Sequence, residues 1–83
     1  MPKTLVGLDG GSSSYHLVAL DQEGRMLRNA KFLTSEAKLI SAVAGLRGEV
    51  HVHLEASEVA GWVRSVLQGR VERIVVRLIH GMC

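Results

Sequence analysis

Val50–Glu55 reads VHVHLE, a strict alternation of apolar and polar side chains whose period of two only a β-strand satisfies. Val50, Val52 and Leu54 must share one face, and His51, His53 and Glu55 the other. The strand ends in an acid followed by small residues. The N-terminus repeats that signature: Thr4–Asp9 (TLVGLD) is a short apolar run closing at Asp9, and Gly10 and Gly11 then stop it. Two strands that each end on a carboxylate constrain both the fold and the chemistry of the chain.

The rest of the organisation follows from period and punctuation. Tyr15–Asp21 (YHLVALD) reads as a second strand, and Gln22–Arg25 as a turn in which Gly24 takes positive φ. Met26–Leu33 (MLRNAKFL) is a third strand, with Leu27, Lys31 and Leu33 on one side and Met26, Arg28, Ala30 and Phe32 on the other. Its closeness to the second strand predicts an antiparallel hairpin. The period then changes. Thr34 or Ser35 can cap a helix running to about Arg47, with Leu39, Ile40, Val43 and Leu46 on one face. After the VHVHLE strand, Ala56–Gln68 is a second helix that buries Val59, Trp62, Val63, Val66 and Leu67, and Gly69 suits its C-terminal cap. Val71–Ile79 (VERIVVRLI) is the last strand. The predicted fold class is α/β, a single domain over residues 1–83 with elements in the order β-β-β-α-β-α-β. Its mixed sheet is antiparallel at first and parallel afterwards.

Composition narrows the function classes. The 47% apolar content is too high for a disordered tail, and no apolar run approaches the roughly 20 residues of a spanning helix. No membrane partner is expected. The single cysteine, Cys83, leaves neither an intrachain disulfide nor a cysteine zinc cluster, so a cytoplasmic location is the default. The net charge of +2 does not by itself indicate nucleic-acid binding. A chain of this size buries only about 60–65% of its unfolded surface, so its stability is expected to be marginal.

Asp9 and Glu55 are the candidate chemical groups. Sites in open α/β sheets form beyond the carboxyl ends of strands. If the first and fourth strands are parallel neighbours, both carboxylates emerge at one rim and repel each other, and a divalent cation removes the conflict. Mg²⁺ takes carboxylate oxygens together with waters and substrate phosphates, which suits phosphodiester chemistry. The structural alternative is that each acid caps the turn or helix that follows it. Gly10–Ser14 (GGSSS) offers backbone N–H groups and hydroxyls that can hold a phosphate. It lacks the lysine of a Walker A loop, and a plain hairpin connection explains it as well. His51 and His53 share a strand face, but no third metal ligand of the right type is near them in sequence. His16, His80 and Trp62 read as structural residues. Arg25, Arg28 and Lys31 either face a nucleic-acid backbone or protect a solvated edge strand.

Taken in order, LVGLDGGSSSYHLVALDQEGRML, a helix, VHVHLEAS and a second helix carrying Trp62 resemble the start of the DEDD-type transposases of bacterial insertion sequences, relatives of the Piv-type DNA invertases. The resemblance covers nearly all 83 residues. Asp9, Gly11 and Ser12 match the family's Asp-x-Gly-x-x element, and Leu54-Glu55-Ala56-Ser57 matches its Leu-Glu-Ala-Ser/Thr element. It implies a ribonuclease H-like fold similar to that of Holliday-junction resolvases. It also implies catalytic and metal-binding roles for Asp9 and Glu55, Mg²⁺ as cofactor, phosphate or DNA contacts at Gly11, Ser12 and Ser13, and DNA as partner.

The chain departs from the family in two places. Ser57 is followed by Glu58 and Val59 where the family commonly has two glycines, and no acid follows Glu72, so the family's two later aspartates have no counterpart. The resemblance therefore implies a truncated transposase that does not cut or join DNA alone, with apolar sheet surface left for a homodimer to bury. The competing resemblance is to the sugar-kinase/actin/Hsp70-like ATPases, whose first strand also runs into a glycine-rich turn; there an acid ending the fourth strand is not expected. A third reading is a non-enzymatic interaction domain.

Overall fold

A computed structural model of the chain describes residues 3–10, 13–55 and 60–77. The elements are β1 (Lys3–Gly10), β2 (Ser14–Asp21), β3 (Met26–Leu33), α1 (Glu36–Val43), β4 (Glu49–Glu55), α2 (Ala60–Leu67) and β5 (Arg73–Arg77). They form one five-stranded mixed sheet with two helices. The spatial order, β3-β2-β1-β4-β5, departs from the order along the chain because β4 returns to lie beside β1. β1, β2 and β3 pair antiparallel as a meander, whereas β4 joins β1, and β5 joins β4, in parallel.

The alternation expected of β4 holds, and it divides the whole sheet. Val50, Val52 and Leu54 are buried with Val6, Leu8, Tyr15, Leu17 and Ala19 in one apolar cluster. Leu39, Ala42 and Val43 of α1 and Ala60, Val63 and Leu67 of α2 complete that cluster, so both helices cover the same face. Trp62 is half-buried against the cluster, its ring 6.3 Å from that of Tyr15. Thr4 is a polar residue on the buried face, and its hydroxyl donates to the Arg47 carbonyl at 2.9 Å. A buried hydroxyl without such a partner would oppose folding.

The ends of the elements have local causes. Ser35 caps α1 through a 3.1 Å bond from the Lys38 N–H to its hydroxyl. The helix stops at Val43, earlier than the expected Arg47, because Ala44 is extended and Gly45 follows at φ 83°. Arg28, on β3, closes that end by donating to the carbonyls of Ala42 at 2.6 Å and Ala44 at 2.9 Å. β5 starts at Arg73 rather than Val71 because Gly69, at φ 84°, turns the chain and Val71 forms only an isolated bridge with Gln68. The N-terminal start expected for α2 at Ala56 and the expected strand end at Ile79 lie outside the described residues. No helix among the described residues is long and apolar enough to cross a membrane.

Candidate functional site

The face of the sheet away from the helices carries the polar half of each alternating strand. Leu5, Gly7 and Asp9 alternate with the buried residues of β1, and His51, His53 and Glu55 with those of β4. The parallel register aligns Gly7 with His53 and Leu8 with Leu54, which sets Asp9 level with Glu55 on neighbouring strands. Strand spacing in a sheet is about 4.8 Å. The two acids therefore emerge together, on one face, at the carboxyl ends of adjacent parallel strands. This is the arrangement expected for the two strand endings if the strands are parallel neighbours, as they are.

The same row extends across the sheet. Asp9 pairs with His16, His16 with Lys31, and Glu55 with Arg77. Read from β3 to β5 the row is Lys31, His16, Asp9, Glu55, Arg77: two central acids flanked by an imidazole and, at the outer strands, by cations. Asp9, His16, His53, Glu55 and Arg77 line one open cleft of about 530 Å³, together with Gly7, Leu8, Val18 and Leu54. Gly7 keeps the floor of the cleft low, since a side chain there would enter open space between Val18 and His53.

Neither Asp9 nor Glu55 has a hydrogen bond or ion pair among the described residues, and Arg77 does not neutralise Glu55 there. That differs from Asp21, whose carboxylate is held by its own turn: the Arg25 N–H and Glu23 N–H donate to it at 2.9 Å each, and the Arg25 guanidinium lies 3.2 Å away. The Arg25 backbone bond, the Glu23 bond and the Arg25 charge hold Asp21 below the usual carboxylate range. Asp21 is thus a structural acid, while Asp9 and Glu55 are free acceptors at a strand rim.

The acids stand as a pair. Among the described residues no group of three or more His, Cys, Asp and Glu side chains is placed to hold a metal ion. A cation bound by Asp9 and Glu55 would take its other ligands from water or from a substrate, which is the habit of Mg²⁺. One ring nitrogen of His16, Nε2, is engaged by the Asn29 side chain.

The glycine-serine loop is only partly in view. Gly11 and Ser12 lie outside the described residues. Ser13 is exposed and does not line the cleft, and its carbonyl accepts the Thr34 N–H at 3.0 Å. Gly10 has a packing role that its sequence context did not reveal. A Cβ there would sit 2.7 Å from the Ser14 carbonyl oxygen and against the Tyr15 ring. Of the three basic residues on the hairpin, Arg25 is engaged with Asp21 and Glu23 and Arg28 with the end of α1, leaving Lys31 exposed on the acids' face. His16, which read as structural, joins the cleft with His53, which lacked a third ligand in sequence, and with Arg77, on which no sequence pattern bore. The cross-strand register is the signal that places them, and it becomes readable only once the pairing is known. The sequence matches no protein-family model and no curated protein.

Proposed function

We propose that this chain is the N-terminal part of a ribonuclease H-like catalytic domain of the DEDD transposase type, and that Asp9 and Glu55 share one Mg²⁺ at the rim of the sheet. The observation that carries the reading is the convergence of these two unpaired carboxylates on one face, at the ends of adjacent parallel strands. The antiparallel meander followed by two parallel strands, with helices on the opposite face, supports it further. In this reading the partner is DNA, and a bound Mg²⁺ supplies Lewis-acid stabilisation of a phosphoryl oxygen. The chain's own part is to fix two acceptors at the rim, leave Gly7 as a clear floor and present Arg77 beside the site.

Two carboxylates are too few for two-metal phosphoryl transfer. These 83 residues by themselves bind a cation weakly and leave DNA intact. Mn²⁺ binding followed by electron paramagnetic resonance tests the site: weak binding is expected in the wild type and should disappear in Asp9→Asn and in Glu55→Gln. Binding that survives both substitutions, or no binding at all, ends the proposal. Plasmid cleavage in Mg²⁺ that is abolished by Asp9→Ala would overturn the inactivity of the isolated chain.

A further inference from the structure

β5 is the outer strand on the side of the sheet away from the hairpin, and Arg77 is its last residue. Ile74 and Val76 pack against the core, so Arg77, one step further, falls on the open face beside Glu55, its register partner on β4. Arg77 is exposed, and among the described arginines it alone lines the cleft of Asp9 and Glu55. Arginines that serve the fold are bonded: Arg25 lies 3.2 Å from Asp21 and 3.0 Å from Glu23, and Arg28 donates to two carbonyls. Arg77 has no hydrogen bond or ion pair among the described residues, although a carboxylate stands in register on the neighbouring strand.

We propose that Arg77 grips a phosphate of a DNA strand lying at the acid rim. The inference rests on, and deepens, the reading of Asp9 and Glu55 as a metal site. Charge sets when the grip works. Without a cation, two carboxylates outweigh one guanidinium and the rim repels a phosphodiester. With both carboxylates offset by a divalent cation, the guanidinium is the net charge of the rim. It then presents a planar fork of donors that matches two phosphate oxygens. The same guanidinium opposes the cation, because like charges on neighbouring strands repel across about 4.8 Å of strand spacing. Removing one charge should therefore strengthen ion binding and weaken DNA binding. An arginine that merely supported the fold would not move the two in opposite directions.

Anisotropy of a fluorescein-labelled single-stranded oligothymidylate at pH 8 in Mn²⁺ measures the grip. Arg77→Gln should weaken binding at least threefold and lower the slope of log affinity against log salt by about 0.7, the value of one phosphate contact on a single strand. Arg77→Lys should keep the slope, which charge sets, and lose part of the affinity, which the fork sets. Arg64→Gln removes the same charge from α2, in the other layer, and should change neither. Without DNA, Arg77→Gln should bind Mn²⁺ about two- to fivefold more tightly in electron paramagnetic resonance. Arg77 is exposed, so these variants keep their fold, and circular dichroism checks that they do.

The double variant Asp9→Asn/Glu55→Gln separates the grip from the metal, because its neutral rim needs no ion. In that background, in EDTA, Arg77→Gln should again lower the slope by about 0.7. That result, with no Mn²⁺ bound by the wild type, would end the metal reading and keep the Arg77 contact. Mn²⁺ binding with a slope indifferent to Arg77→Gln in both backgrounds would end the contact and keep the metal reading. No oligonucleotide binding in the neutral background, or an equal loss with Arg64→Gln, would also overturn the inference.

Discussion

Tyr15 is the chain's only tyrosine, and it is 3% exposed on the covered face, level with the end of β1. Its ring stacks against Phe32 at 6.0 Å and Trp62 at 6.3 Å. Its hydroxyl is buried and has no hydrogen-bond partner among the described residues. A buried, unsatisfied polar group costs about 1–3 kcal/mol. Tyr15→Phe removes that cost and keeps the ring contacts, so it should stabilise the fold by about 1 kcal/mol. For a domain of this size the melting temperature then rises by about 4–8 °C. Urea denaturation should show a higher midpoint with an unchanged slope, since the surface exposed on unfolding is the same. The pH dependence supplies a second reading. Burial raises the Tyr15 phenol above its ordinary value of 10.0. In alkali the unfolded chain therefore loses this proton first. The stability difference is full below pH 10 and is lost as pH climbs from there through the folded value. Tyr15→Phe should lack that alkaline loss, and tyrosinate absorbance in the wild type reports the single group directly. A Phe variant less stable than wild type would refute the reasoning, because it would mean that the hydroxyl has a partner worth keeping.

Gly10→Ala should destabilise by about 1–3 kcal/mol, as overpacking does, because the new methyl group meets the Ser14 carbonyl and the Tyr15 ring; chemical denaturation measures it. Arg28→Ala removes two bonds to the carbonyls that end α1 and should cost about 1.5–3 kcal/mol. Arg28→Lys should recover only part of that in the same assay, since an ammonium lacks the forked geometry. Asp21 is held below the usual carboxylate range, so its contribution is present above the unfolded value of about 3.9 and is lost as pH falls through the folded one. Asp21→Asn should flatten the acid limb of a stability–pH profile; an unchanged limb would contradict the role assigned to the Arg25 and Glu23 N–H groups.

The strands and helices were legible because their periods were. VHVHLE could not alternate so strictly and be anything but a half-covered strand, and Ser35 and Gly24 carried the local chemistry of a cap and a turn. The acid pair was legible for the same reason, since each carboxylate sits one step beyond an apolar run. The rest of the cleft was not, because it depends on register. His16 faces Asp9 only through antiparallel pairing of β1 with β2, and Arg77 faces Glu55 only once β5 lies parallel to β4. Arg28 misled for a related reason. A cation on an exposed-looking hairpin reads as surface until the end of α1 arrives over it, fourteen residues away in the chain.

The uncovered face and the free edge make different demands on any partner. Covering the open face would bury Asp9 and Glu55, two carboxylates with no hydrogen bond or ion pair among the described residues. Withdrawing an unpaired charge from water costs several kcal/mol per ion unless a cation or donors come with the covering group. The apolar content of that face is interrupted: Leu33 is 70%, Met26 59% and Leu5 40% exposed, Val18, Leu20 and Val75 are half-buried, and histidines and Lys31 stand between them. At about 25 cal/mol for each square ångström buried, the gain from covering these side chains is opposed by the cost of two stranded charges. The β3 edge carries no such penalty, because a strand pairing there gains backbone bonds and leaves both carboxylates in water.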